Sequence, residues 1–146
     1  MTPTERRNSA VIRRLYKGYN DRKATPEERL AAVLAPLAED ARYYEYAPPE
    51  ILAWGGTFKG RKGWQNFLVA ISSELEHENF SCEKVIASGS YVFAWGRIVT
   101  KCRKTGRRSS AAWQHRHKLR GGKIVECHEF YDTLRTALDL GRVRAT

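Results

Sequence analysis

The chain has 146 residues, a hydrophobic fraction of 42% and a formal net charge of +10 at pH 7. This length fits one domain with one hydrophobic core. No segment reaches the roughly 20 apolar residues of a membrane-spanning helix, so a membrane protein is not expected. The N-terminal segment lacks the apolar stretch of a secretion signal, and the number of cysteines is odd. This pattern predicts a cytoplasmic protein with reduced thiols.

The basic residues gather on two predicted hairpins, in the segments Lys101–Arg108 and Arg116–Lys123. A basic surface can hold a nucleic-acid backbone, attract anionic small molecules or simply keep a protein soluble. No helix-turn-helix, zinc-finger or RNA-recognition pattern accompanies the charge. Because charge without an element that reads bases is weak evidence, nucleic acid is not the expected partner.

Helices dominate the first half of the chain. Apolar residues at three- and four-residue spacing mark the first helix, with Thr4 as its N-cap. Thr25 and Pro26, followed by two acids, form a strong start for the second helix, which Pro36 ends or bends. The predicted elements are helix Pro3–Asn20, a helix from Thr25, strand Ala41–Tyr46, a candidate short strand at Thr57–Phe58 and helix Gly63–Leu75.

Strands dominate the second half, and one short helix follows them. Alternating, β-branched and aromatic residues mark each strand, and turn residues with glycine separate them. The predicted elements are strands Phe80–Ala87, Tyr91–Cys102, Ser109–Leu119 and Lys123–Thr133, and helix Leu134–Leu140. Helices first and an antiparallel meander last predict an α+β fold, in which a curved sheet wraps on the helices.

The segment Ala111–Leu119 alternates with a period of two residues. Trp113, His115 and His117 fall on one side of it, and Arg116 falls on the other. Successive side chains of a strand point to opposite faces of a sheet. One face therefore carries aromatic and imidazole groups, which indicates a lined pocket more than a plain core.

Four segments carry a family resemblance when they are taken in order. They are YKGYND (Tyr16–Asp21), LAEDARYYEY (Leu37–Tyr46), GRKGWQNF (Gly60–Phe67) and GGKIVECHEFYDT (Gly121–Thr133). Their order resembles the nuclear transport factor 2-like superfamily, and within it the ketosteroid isomerase-like and SnoaL-like domains. The resemblance implies one domain over residues 1–146.

The fold that the resemblance implies is a cone-shaped α+β barrel of the cystatin-like type. A curved antiparallel sheet wraps around N-terminal helices and encloses one deep cavity. A homodimer through the outer face of the sheet is also implied. The superfamily contains isomerases, dehydratases, cyclases and proteins without a reaction, so the pocket residues must decide the function.

The resemblance places a carboxylate base at Glu45, on the strand that follows the second helix. In an aromatic pocket between Tyr44 and Tyr46, this carboxylate would be desolvated. Its pKa would then rise toward the operating pH, which suits a general base. The alternative is that Glu45 lies on an edge strand and faces water.

The resemblance also places the acidic hydrogen-bond donor of the isomerases at His115. A histidine can donate a proton or a hydrogen bond to a developing oxyanion, or act as an acid-base group. The alternative is a core histidine with satisfied hydrogen bonds. The first-helix tyrosine of the isomerases falls on Leu15, and Tyr16 is one position off, about 100° around the helix. Tyr19, one turn after Leu15, could point inward instead.

Glu129 takes the place of the second acid of limonene epoxide hydrolase-like relatives. Their aspartate is replaced by Val99, so epoxide hydrolysis is not expected. Glu129 shares its strand face with Tyr131. It can hold Arg97, orient His115 as carboxylates orient imidazoles elsewhere, or form a structural salt bridge.

Together these residues predict an enzyme that transfers a proton next to a carbonyl, in an isomerisation, dehydration or cyclisation. The expected partner is a hydrophobic carbonyl or phenolic substrate, or an anionic small molecule. The candidate catalytic residues are Glu45, His115 and Glu129, and the candidate substrate-binding residues are Tyr19, Trp64, Trp95, Trp113, His117 and Tyr131. No metal or other cofactor is expected, because ligand spacing and a glycine-rich nucleotide loop are both missing. The alternative is a non-catalytic ligand-binding or dimeric assembly module of the same fold.

Overall fold

The computed structural model describes residues 1–146 and contains four helices and six strands. The helices are α1 Pro3–Tyr19, α2 Pro26–Leu34, α3 Gly60–Glu74 and α4 Thr133–Asp139. The strands are β1 Leu37–Glu45, β2 Gly56–Lys59, β3 Leu75–Ser88, β4 Tyr91–Cys102, β5 Arg108–Arg120 and β6 Lys123–Tyr131. Every predicted element is present, although β1, α3 and β3 begin earlier than predicted. No helix is both long enough and apolar enough to cross a membrane.

Reciprocal hydrogen bonds begin the first two helices. At α1, the Thr2 hydroxyl accepts the backbone N–H of Glu5 at 3.1 Å, and the Glu5 carboxylate accepts the backbone N–H of Thr2 at 2.8 Å. The predicted cap at Thr4 is therefore wrong, because Thr4 lies inside the helix. At α2, Thr25 and Glu28 form the same pair, which confirms the predicted start.

The six strands form one curved, unclosed sheet in the order β2-β1-β6-β5-β4-β3. This architecture confirms the α+β class and the cone-like shape. All neighbouring strands are antiparallel except β1 and β6, which run parallel. The sheet is therefore mixed and not wholly antiparallel as expected. A parallel pair requires a long crossover, which the segment from β2 to β5 supplies.

Helices α1 and α3 pack on the sheet, and their apolar stripes form the core together with inward-facing strand residues. The alternation of burial is clear in β5, where Trp113, His115 and His117 are buried and Gln114 is exposed. Polar side chains of this strand thus enter the interior. Because buried polar groups need hydrogen-bond partners, the elements around them must supply those partners.

Candidate active site

Three polar residues lie side by side in one row across the inner face of the sheet. Glu45 on β1 is the register partner of Glu129 on β6, and Glu129 is in turn the partner of His115 on β5. Glu45 and His115 are only 2% and 4% exposed. The row brings together the three candidate catalytic residues, with Glu129 in the middle.

Glu129 accepts two hydrogen bonds at one carboxylate oxygen. His115 Nε2 donates to Oε2 at 2.7 Å, and the hydroxyl of Tyr43 donates to the same oxygen. Burial raises the pKa of Glu129, but the hydrogen bonds from His115 and Tyr43 act against burial, and this pKa lies below its usual value. Arg97, the other partner considered, donates instead to the hydroxyl of Ser110 at 3.1 Å. Glu129 is therefore an ionised acceptor that orients His115.

Glu45 has the opposite protonation tendency. Its Oε1 accepts the backbone N–H of Ala47 at 2.7 Å, and its Oε2 accepts the hydroxyl of Tyr131 at 2.8 Å. Burial, and after it the negative charge of Glu129, raises the pKa of Glu45 from 4.5 to about 8. Glu45 does not face water at an edge, because β2 and β6 pair with the two sides of β1. The two carboxyl groups thus differ in charge at neutral pH, with the proton on Glu45.

Tyr131 joins Glu45 to the pocket. Trp54 Nε1 donates to the Tyr131 hydroxyl oxygen at 3.1 Å, and the Tyr131 hydroxyl donates onward to Glu45. Burial, followed by the charges of Glu45 and Glu129, raises the pKa of Tyr131 far above its usual value. Tyr131 therefore stays protonated and can donate a hydrogen bond.

Tyr16 connects two buried histidines. Its hydroxyl oxygen lies 2.9 Å from Nδ1 of His115 and 2.8 Å from Nε2 of His117. Burial, and after it the neighbouring His115, lowers the pKa of His117 well below its usual value, so His117 is neutral. Nδ1 of His117 is buried and has no hydrogen-bond partner.

The two histidines also lie near a buried thiol. One ligand atom from each of His115, His117 and Cys127 lies within 4.8 Å of the others. Imidazole and thiolate ligands suit zinc and copper ions. However, Tyr16 and Glu129 already bond both nitrogens of His115 and one nitrogen of His117. The geometry therefore favours a hydrogen-bonded cluster over a metal centre.

A cavity of about 40 Å³ lies beside this row. Glu129 and Tyr131 reach its wall, which is otherwise mainly apolar and includes Trp54, Phe80 and Trp113. A volume of this size holds a few water molecules at most, whereas drug-sized ligands occupy pockets of about 300 Å³ or more. A ring-bearing molecule therefore enters only when lining side chains move apart.

Two of the candidate substrate-binding residues, Trp113 and Tyr131, line this cavity. Tyr19 lies behind the cavity wall, where its ring contacts Phe80 at a centroid distance of 5.8 Å. His117 is 1% exposed and faces the hydroxyl of Tyr16. Tyr19 and His117 thus support the wall and do not form it.

Two candidate tryptophans lie away from the cavity. Trp64 on α3 is fully buried, and its ring meets Tyr43 edge-on at a centroid distance of 4.9 Å. Trp95 is on the outer face of the sheet, because its register partner on β5 is the outward-facing Gln114. Neither residue therefore lies where the expected substrate-binding role would need it. Packing of α3 on the sheet buries Trp64, and the alternation of β4 turns Trp95 outward.

Sequence reasoning did not select Tyr16 and Tyr43 as site residues. Signals for both exist in the sequence. Tyr16 lies four residues after Ile12 and so belongs to the buried stripe of α1. Tyr43 lies two residues before Glu45 and so shares its strand face.

The curved sheet and its inward-facing polar row define a small α+β cone of the nuclear transport factor 2-like type. The SnoaL-like domain family matches residues 12–127, and the chain belongs to this family. Comparison with curated proteins found no match.

Solved structures with low sequence identity share the fold. A nuclear transport factor 2-like protein of unknown function from Burkholderia pseudomallei is 21% identical with a TM-score of 0.78, over 89% of this chain and 94% of its own. TerC, co-crystallised with polyporic acid, is 19% identical with a TM-score of 0.78, over 92% and 98%. A candidate polyketide cyclase from Xanthomonas campestris is 15% identical with a TM-score of 0.74, over 94% and 98%.

Proposed function

We propose that the chain is a cofactor-independent enzyme that transfers a proton next to a carbonyl, in an isomerisation, dehydration or cyclisation. The observation that carries this proposal is the adjacent pair Glu45 and Glu129, whose pKa values are shifted in opposite directions. Environments that separate the pKa values of two carboxyl groups provide an acid and a base at one pH. Glu129 and Tyr131 bring this pair to the cavity wall.

Glu129 acts as the base in this proposal. It is ionised, and it reaches the cavity, so it can accept a proton from a carbon beside a carbonyl. Tyr131 donates a hydrogen bond to the carbonyl oxygen, where negative charge develops. This assignment differs from the roles that the family resemblance implies, in which Glu45 is the base and His115 the acid. The reason is that Glu45 holds a proton and His115 does not reach the cavity wall.

Glu45 acts through Tyr131. In the free protein the Tyr131 hydroxyl donates to Glu45 at 2.8 Å. Because Glu45 is protonated, it can become the donor to the Tyr131 oxygen when a substrate binds. The tyrosine hydrogen then turns to the substrate oxygen, and a proton can follow along the same path.

The substrate class follows from the cavity and from similar proteins. The mainly apolar wall favours a hydrophobic molecule, and Glu129 and Tyr131 favour one with a carbonyl or phenolic oxygen. Structures of this fold include one with polyporic acid and a candidate polyketide cyclase, which favours an organic small molecule. The net charge of +10 favours substrates with anionic character. Three free cysteines favour a cytoplasmic location.

A screen for proton exchange tests the proposed reaction. Ring-bearing ketones and phenolic ketones are incubated with the protein in D₂O, and loss of the signal of the proton beside the carbonyl is followed by NMR. We expect at least one compound to exchange faster than in buffer with bovine serum albumin. Compounds that stabilise the protein in a thermal-shift assay but exchange at the background rate would instead support the non-catalytic ligand-binding module.

We also propose a homodimer that forms through the outer face of the sheet. Tyr46 and Phe130 are 54% and 41% exposed, and their rings stack at a centroid distance of 5.0 Å. Tyr44 and His128 extend this row, with rings 4.2 Å apart. An exposed cluster of aromatic side chains is typical of an interaction surface.

Phe130→Arg is expected to convert this dimer into a monomer. In a two-fold interface each substitution appears twice, so two added cations would meet an already basic face. Sedimentation velocity measures the change. The matched control is Leu134→Arg, which adds the same charge on helix α4, where the side chain is 64% exposed. A monomeric parent protein, or a Phe130→Arg variant that stays dimeric, would contradict the proposed interface.

A further inference from the structure

We infer that Tyr16 is a positioning residue that donates its hydroxyl proton to Nδ1 of His115, in a hydrogen-bond chain that runs from His117 through Tyr16 and His115 to Glu129. This direction keeps His115 neutral, with its proton on Nε2. The inference rests on the proposed role of Glu129 as the base, because it concerns the donor that holds that carboxylate.

The hydrogen-bond chain consists of three consecutive hydrogen bonds in the protein interior. His117 Nε2 and the Tyr16 oxygen are 2.8 Å apart, and the Tyr16 oxygen and His115 Nδ1 are 2.9 Å apart. His115 Nε2 and Glu129 Oε2 are 2.7 Å apart. Tyr16, His115 and His117 are 3%, 4% and 1% exposed, so water does not compete for these bonds.

The donor in each bond follows from the Glu129 end. An ionised carboxylate only accepts hydrogen bonds, so Nε2 of His115 carries a proton. In a neutral imidazole the other nitrogen, Nδ1, is then an acceptor. Tyr16 must donate its single hydroxyl proton to this Nδ1. The Tyr16 oxygen therefore accepts from Nε2–H of His117.

The far end of the chain distinguishes this direction from its reverse. Nδ1 of His117 is buried and unpartnered. In the inferred direction this nitrogen is unprotonated, and it is an acceptor without a donor. In the reverse direction His115 is doubly protonated, Tyr16 donates to His117, and Nδ1 of His117 becomes a buried N–H without an acceptor. Orphaned buried N–H groups are rarer than unsatisfied acceptors, which disfavours the reverse direction.

The inferred direction has a consequence for the proton inventory of the site. The single ring proton of His115 lies in the hydrogen bond to Glu129. On its other side, the hydrogen-bond chain ends at His117, which has no further proton donor. His115 thus orients the base and supplies no proton to a substrate. Tyr131 and Glu45 on the other side of Glu129 remain as the acid.

Nitrogen-15 NMR of the ligand-free parent protein tests the direction without any substrate. The chain has four histidines, and a His77→Gln/His128→Gln variant leaves only the two buried ones for assignment. We expect both to be neutral with the proton on Nε2. A doubly protonated His115 together with a His117 that carries its proton on Nδ1 would overturn the inference.

Tyr16→Phe tests the role of the hydroxyl. We expect the proton of His115 to stay on Nε2 in this variant, because Glu129 still accepts it. The nitrogen-15 resonance of His115 Nδ1 is expected to shift, because Nδ1 loses its donor, whereas Tyr19→Phe, one turn further along α1, leaves this resonance unchanged. With a substrate from the exchange screen, Tyr16→Phe is expected to lower kcat about tenfold at unchanged KM. An unchanged Nδ1 resonance of His115 in a folded Tyr16→Phe variant would overturn the inference. Parent tautomers as expected, with no exchange activity on any compound, would instead count against the proposed reaction and leave the chain direction intact.

Discussion

Glu129→Gln is expected to reduce kcat for proton exchange by a factor of about 10² to 10⁴, the usual contribution of a positioned base. The amide has nearly the same shape as the carboxylate, but it cannot accept the substrate proton. KM is expected to change little, because the cavity wall keeps its size. The measurement is the rate of exchange in D₂O of a ketone found by the screen.

The control for this variant is Glu126→Gln on the same strand. Glu126 lies toward the outer face, where its carboxylate is 3.7 Å from His128 Nε2, so the control removes one negative charge from β6 without touching the polar row. We expect it to keep the parent rate. If Glu129→Gln also keeps the parent rate while Glu45→Gln loses it, the base is Glu45, as the family resemblance implies.

Local periodicity is sufficient to place much of this site from the sequence. The alternation of β5 predicts that Trp113, His115 and His117 face inward, and the structure has them there. The same parity places Glu129 with Tyr131 on β6, and both line the cavity. These placements depend only on the two-residue repeat of an extended backbone, which needs no tertiary information.

Contacts between distant strands are not encoded in that repeat. Glu45 meets Glu129 because β1 pairs in parallel with β6, whereas the sequence pattern predicts an antiparallel sheet. A shift of one residue would turn Glu45 to the outer face. The opposite pKa shifts of the two carboxyl groups depend on this register, so periodicity alone does not predict them.

Tyr16 illustrates a second limit. The apolar stripe of α1 predicts that this residue is buried, which the structure confirms. The rotation of the helix on the sheet decides whether the Tyr16 hydroxyl reaches the histidines, and packing over the whole core fixes that rotation.

The size of the cavity cannot be predicted from the sequence either. It depends on how tryptophans from different elements fill the interior, which composition does not specify.

As the pH rises, the free energy of unfolding of the parent protein is expected to fall relative to that of the Glu45→Gln variant. The pKa of Glu45 is raised from 4.5 to about 8 in the fold. Between these values the folded protein holds a proton that the unfolded chain releases. Stability from this group is therefore fully present below the unfolded pKa and is lost as the pH rises through the folded pKa. The expected slope is about 1.4 kcal/mol per pH unit, or roughly 4 kcal/mol between pH 5 and 8.

Urea unfolding of both proteins at a series of pH values measures this difference. Glutamine imitates protonated Glu45, since its oxygen can accept the Ala47 N–H and its amide can donate to Tyr131. Subtraction of the two curves removes the contributions of other groups, including Glu129, whose lowered pKa acts at more acidic pH. Glu39→Gln, at an exposed position of the same strand, is the control and is expected to parallel the parent. Parallel curves for parent and Glu45→Gln would mean that Glu45 is already ionised at neutral pH, and the proposed acid would then be lost.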